Sequence, residues 1–138
     1  MENRPSEVHS LWRTLPIAVG EEEPPTINIW IEVLPPTSDI RGLSFRITQN
    51  NTLTDDETLE ARVIADGTTY DAAGVCTNLT GYYVYLGMDD ALHISNIAML
   101  GMKYNFPWEA QTMSAYVRQT SDVGAGARLT GRVMYEQL

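Results

Sequence analysis

The sequence predicts an all-β protein: a single antiparallel β-sandwich or barrel of about seven or eight short strands, preceded by an extended N-terminal arm. Three observations carry that expectation. Segments of alternating apolar and polar residues recur at intervals of roughly ten residues from Thr26 onward. No stretch holds a long 3.6-residue apolar period, so the helical crossovers a parallel sheet requires are not indicated. The stretch Thr58 to Asp71, TLEARVIADGTTYD, is the clearest hairpin signal in the chain. Leu59, Ala61 and Val63 share one face, Glu60 and Arg62 take the other, and Asp66-Gly67 stands where a two-residue turn needs φ > 0.

Residues 1–25 read as the arm and residues 26–138 as the sandwich domain. Pro5, Pro16, Pro24 and Pro25 punctuate the arm, and Glu21-Glu22-Glu23 extends it by repulsion. Val8, Leu11, Trp12 and Leu15 have i, i+3, i+4, i+7 spacing, which suits a short amphipathic helix ending before Pro16. A helix that short needs a surface to dock on, either its own domain or a neighbouring subunit.

In the domain, Ile27, Ile29, Ile31 and Val33 alternate with Asn28, Trp30, Glu32 and Leu34, and Pro35-Pro36 should stop that strand. Leu43, Phe45 and Ile47 alternate in the next, and a polar loop from Gln49 to Glu57 leads into the hairpin. Tyr82, Val84 and Leu86 alternate with Tyr83 and Tyr85, and Leu92 and Ile94 start a short strand or a helical turn. Lys103 to Trp108 reads as a loop. Met113, Ala115 and Val117 mark another strand, Ser121 to Ala127 a flexible turn, and Leu129, Val133 and Tyr135 a last strand running nearly to Leu138.

Composition bounds the function. The 138 residues suit one domain, and 43% hydrophobic content can supply a core. A net charge of −9 opposes nucleic-acid and anionic-membrane partners, because both demand a cationic face. No run approaches the roughly 18 apolar residues of a membrane span, and the N-terminus lacks the pattern of a secretory signal. The sequons at Asn50 and Asn78 therefore read as chance matches. Eight of the nine basic residues are arginines, Lys103 being the exception. Arg is the cation enriched at protein interfaces, although a coding or salt bias of the host explains the same count.

Catalytic chemistry finds little to work with. His9 and His93 show no metal-ligand spacing, Cys76 sits among small apolar residues as a structural thiol would, and GxSxG is absent. Gly124-Ala125-Gly126 lacks the Lys-Ser/Thr of a phosphate loop. Asp55-Asp56-Glu57 reads as a solvated acidic turn, since its spacing fits no calcium loop. No catalytic residue, metal or cofactor is expected, and the chain is read as a non-enzyme.

Aromatic and arginine side chains on the polar parity of the strands remain. Leu11, Trp12, Leu15, Trp30, Arg118 and Arg132 form the expected assembly surface. The alternative is a carbohydrate- or receptor-binding module that stacks ligand on Trp108, Tyr83 and Tyr85.

The proline-punctuated arm, the compact antiparallel domain and the final strand, with phrases such as RGLSFRITQNNT, SAYVRQTS and ARLTGRVMYEQL, resemble the small structural proteins of phage-like virus particles: minor capsid, decoration or single-jelly-roll coat subunits. That resemblance implies a jelly-roll-like sandwich without enzymatic activity. Its partners would be copies of itself and other virion proteins, and its location the virion after synthesis in the host cytoplasm. The acidic balance argues against a genome-facing position and for the outer surface or the tail and portal region.

Overall fold

The computed structural model describes residues 15–50, 57–76, 81–95, 102–104, 108–120 and 127–138. Nine strands occur among them: β1 (Ile17–Glu22), β2 (Ile31–Gln49), β3 (Glu57–Ala65), β4 (Thr68–Cys76), β5 (Tyr82–Gly87), β6 (Leu92–Ser95), β7 (Met102–Tyr104), β8 (Trp108–Gln119) and β9 (Leu129–Gln137). Every pairing is antiparallel.

The β3–β4 hairpin forms as its sequence dictates. Ala65 pairs with Thr68 across a two-residue loop in which Asp66 (φ 51°) and Gly67 (φ 81°) both adopt the left-handed conformation of a type I′ turn. Leu59, Ala61, Val63 and Ala65 point into the core, and Glu60 and Arg62 face outward.

The organising strand is β2, whose 19 residues serve two layers. Its first part pairs with β8 from Ile31 to Gly42, and its second with β9 from Ile40 to Gln49 and with β5 from Phe45 to Ile47. One layer is thus β4-β3-β8-β2 and the other β1-β9-β2-β5-β6. Counting the halves of β2 separately and setting aside β6 and β7, the eight strands run 1-8-3-6 in one layer and 2-7-4-5 in the other. This is the double Greek-key order of a jelly roll. The layers bury one core, in which Phe45, Leu34, Ile40, Ile47, Leu59 and Met113 are nearly inaccessible.

Four expectations need correction. The Pro35-Pro36 pair does not end a strand. The ladder shifts register between Glu32 and Leu34 and again between Leu34 and Thr37, so the prolines occupy a bulge where no N–H is required. Nor does that strand begin at Thr26. Asn28 takes φ 65° in a turn closed by Ile29 N–H donating to Thr26 O, and Ile27 and Ile29 stay exposed.

Residues 17–22, assigned above to the arm, form β1 and pair with β9 from Ile17↔Met134 to Glu22↔Leu129. Every second residue of the strand, Ala18 and Gly20, turns inward. Gly20 permits the close approach: a Cβ there would collide with the Glu32 carbonyl oxygen and lie 2.9 Å from Val33 Cα. Finally, Trp108 is not in a loop. It opens β8 opposite Gly42, only 8% exposed, with its ring edge-on to Tyr70 at 4.9 Å.

Candidate functional site

The outer face of the β4-β3-β8-β2 layer carries a closed polar ladder. Register sets Glu60 opposite Arg118 and Arg62 opposite Asp71, giving ion pairs of 2.6 and 2.7 Å. Trp30, just ahead of β2, lies between the two guanidiniums, with Arg118 Cζ 4.3 Å and Arg62 Cζ 4.6 Å from its ring centroid. Arg118 also donates to Asn28 O at 3.3 Å, which ties the turn before β2 to the same cluster. Hydrogen bonding to Asp71 raises Arg62 above its ordinary pKa. Trp30 and Arg118, expected at an assembly surface, thus satisfy one another within the chain.

The outer face of the other layer is different. Register aligns Val19, Arg132, Arg46 and Tyr83 in one row across β1, β9, β2 and β5, and aligns Ile17, Met134 and Ser44 in the next. Arg46 and Arg132 stand directly opposite each other, a like-charge pair that costs a sheet about 0.2–1 kcal/mol. Neither makes an ion pair among the described residues. Arg46 lies over the Tyr83 ring, its Cζ 4.8 Å from the centroid. Glu21, which shares a small groove with Arg132, instead accepts from Thr130 Oγ1 at 2.8 Å. Ile17, Ser44, Arg46, Thr48, Arg132 and Met134 line an open groove of about 270 Å³. Ile17 and Val19 are 48% and 52% exposed beside it.

A third feature lies where β2 passes between layers. Asp39, Asp66 and Glu109 line a hollow of about 480 Å³ together with Ala110, Gln111 and Leu138. Asp66 Oδ1 accepts the N–H groups of Gln111 and Thr112 at 2.9 and 3.1 Å, which leashes the hairpin tip to β8. Arg41 bridges Glu109 and Glu136 at 2.7 and 2.8 Å, and the Glu109 bond raises its pKa above the ordinary value. That guanidinium thus engages two carboxylates, while Asp39 and Asp66 make no ion pair among the described residues.

At the β5–β6 turn, His93 Nε2 hydrogen-bonds both Asp89 oxygens at 3.0 and 3.1 Å, and the His93 ring stacks on Tyr85 at 5.4 Å. The bond from His93, helped by Ala91 N–H, lowers the Asp89 carboxyl below its ordinary range. No group of three or more His, Cys, Asp or Glu is placed to hold a metal ion among the described residues.

The expected site residues therefore scatter. Leu11 and Trp12 lie outside the described residues, as do His9, Asp55, Asp56 and Gly124–Gly126, and the Cys76 thiol is likewise outside the description. Leu15 is half-buried ahead of β1. Trp30 and Arg118 meet in the clamp, Arg132 lies on the opposite layer, and Trp108 and Tyr85 are buried at 8% and 7% exposure. Of the three rings expected to hold a ligand, only Tyr83 is partly exposed, and Arg46 lies over it. Met134, which the parity of its strand sets on the outer face with Arg132, does line the open groove, whereas Arg46 carries no signal of its own in the sequence. The alternation of Ser44, Arg46 and Thr48 marked an outer face, but nothing local matched it to Arg132. Comparison with protein-family models, curated proteins and solved structures finds no match to this chain.

Proposed function

We propose that this chain is a non-enzymatic structural subunit of a virus particle that works by self-association. Jelly rolls serve capsid subunits, lectins and cupins, so the fold alone does not choose among them. The observation that carries the reading is the outer face of the β1-β9-β2-β5 layer, where Arg46 and Arg132 oppose each other without a carboxylate partner among the described residues, beside exposed Ile17 and Val19. In a chain of net charge −9, two adjacent arginines with no ion pair among the described residues, flanked by aliphatic side chains and a tyrosine, have the composition of an interface. A sugar platform finds less support, since Trp108 and Tyr85 are in the interior.

Sedimentation velocity and negative-stain microscopy of the purified chain over rising concentration test the proposal. Discrete rings, sheets or oligomers are the expected result. A monomer at every concentration, with no particle protein co-purifying from infected cells, would refute it. The arm is tested by removing residues 1–14, because a cut at residue 25 also strips β1 from β9. Loss of assembly with an intact domain makes the arm an inter-subunit tie.

A further inference from the structure

We infer that the contact between copies is head to tail: the arginine face of one copy receives the acidic corner of a second, with Arg46 and Arg132 facing Asp39 and Glu109 of the neighbour. This rests on the self-assembly reading above and specifies its surfaces.

Charge is the first argument. The arginine face brings two guanidiniums with no ion pair among the described residues, and the corner brings Asp39, Asp66 and Glu109 around one hollow, of which only Glu109 is engaged by a guanidinium, Arg41, among the described residues. An arginine fork matches a carboxylate in a planar, two-bond geometry, so each side offers what the other is short of. Glu109 is 57% exposed, and Arg41 engages only its Oε2, leaving Oε1 unused among the described residues. Asp39 is exposed on a left-handed residue (φ 50°) at the apex of the corner.

Apolar complementarity is the second. Ile17 and Val19 flank the arginines, and the Leu138 side chain, 60% exposed, lines the acidic hollow. Burying these against each other contributes roughly 25 cal/mol per Å² of apolar area, with the polar hydroxyls of Ser44 and Thr48 at the groove wall.

Symmetry is the third. A two-fold axis centred on the arginine face would set four guanidiniums together, and one centred on the corner would set acid against acid. Joining unlike patches avoids both. Such a contact leaves one arginine face and one acidic corner free at the ends of every chain of subunits, so it propagates until a ring closes or a filament grows.

Two variants of the full chain test this, Arg46→Glu/Arg132→Glu and Asp39→Asn/Glu109→Gln, each checked for native circular dichroism. Each alone weakens association by about a hundredfold, as loss of two desolvated charge contacts should. Mixed one to one, they form heterodimers and nothing larger, because only the intact corner of the first and the intact arginine face of the second can meet. If the wild type assembles and either variant assembles as it does, or the mixture stays monomeric, the head-to-tail contact is overturned while self-assembly stands. If the wild type never assembles, the reading beneath it falls as well. Should the glutamates unfold the domain, Arg46→Gln/Arg132→Gln replaces them with the same expected outcomes.

Discussion

Replacing Trp30 with Leu separates an intramolecular clamp from an assembly residue. The ring lies 4.3 Å from Arg118 Cζ and 4.6 Å from Arg62 Cζ, and both guanidiniums are also held by carboxylates, Glu60 and Asp71. A cation on an aromatic face at a partly exposed site contributes about 0.5–1 kcal/mol, so losing both costs about 1–2 kcal/mol. The two ion pairs survive the substitution and, being a quarter to a half exposed, contribute little that would mask it. For a chain of this size the loss lowers Tm by roughly 4–8 °C. Urea unfolding followed by far-ultraviolet circular dichroism measures it. A double-mutant cycle with Arg62→Gln should return a coupling of about 0.5–1 kcal/mol. Association of the folded variant should equal that of the wild type. A stability loss below about 0.3 kcal/mol, a coupling of zero, or impaired assembly at unchanged stability would each refute the clamp.

Three further outcomes follow from single positions. Gly20→Ala forces a Cβ onto backbone atoms of Glu32 and Val33 that cannot rotate away. It should cost about 1–3 kcal/mol and strip hydrogen-exchange protection from β1 before the rest of the sheet. Asp66→Ala removes the acceptor of two β8 amides and places a Cβ residue without a polar side chain at positive φ, for a loss of about 1–2 kcal/mol in chemical denaturation. Asp66→Asn should recover most of it. By NMR titration the Asp89 carboxyl should ionise below an ordinary aspartate and return toward the ordinary value in His93→Ala. Because folding depresses that pKa, the Asp89 contribution to stability is complete above the ordinary carboxylate value and disappears as pH falls through the lowered one.

The parts legible from sequence were those governed by neighbours along the chain. The β3–β4 hairpin needed only alternation and an Asp-Gly turn, and Phe45, Ile47, Ala115, Val117 and Val133 are buried where period two placed them. Reading failed where a distant strand decided. Pro35-Pro36 looked like a terminator because the bulge that hosts it exists only against β8. Ile17–Glu22 looked like an arm because so short and acidic a strand gains its place from β9 and from the space Gly20 leaves over Glu32. Trp108 looked like a loop ring because nothing within its segment announces Tyr70 or Gly42.

The candidate site shows the same division. By itself the sequence determined an all-β antiparallel chain, an acidic composition rich in arginine, and the outward face of regular stretches such as residues 59–65 and 113–117, since these follow from side-chain type and a two-residue period, whereas Tyr85 and Ile29 broke that parity. The tertiary structure alone decided which outward residues are neighbours. Register put Arg62 and Arg118 beside Asp71 and Glu60 and closed them around Trp30, whereas it put Arg46 opposite Arg132 with no ion pair for either among the described residues. Identical side chains on equivalent faces thus became a structural clamp in one layer and an open surface in the other, because ion pairing depends on separations of a few ångströms between strands that lie far apart along the chain.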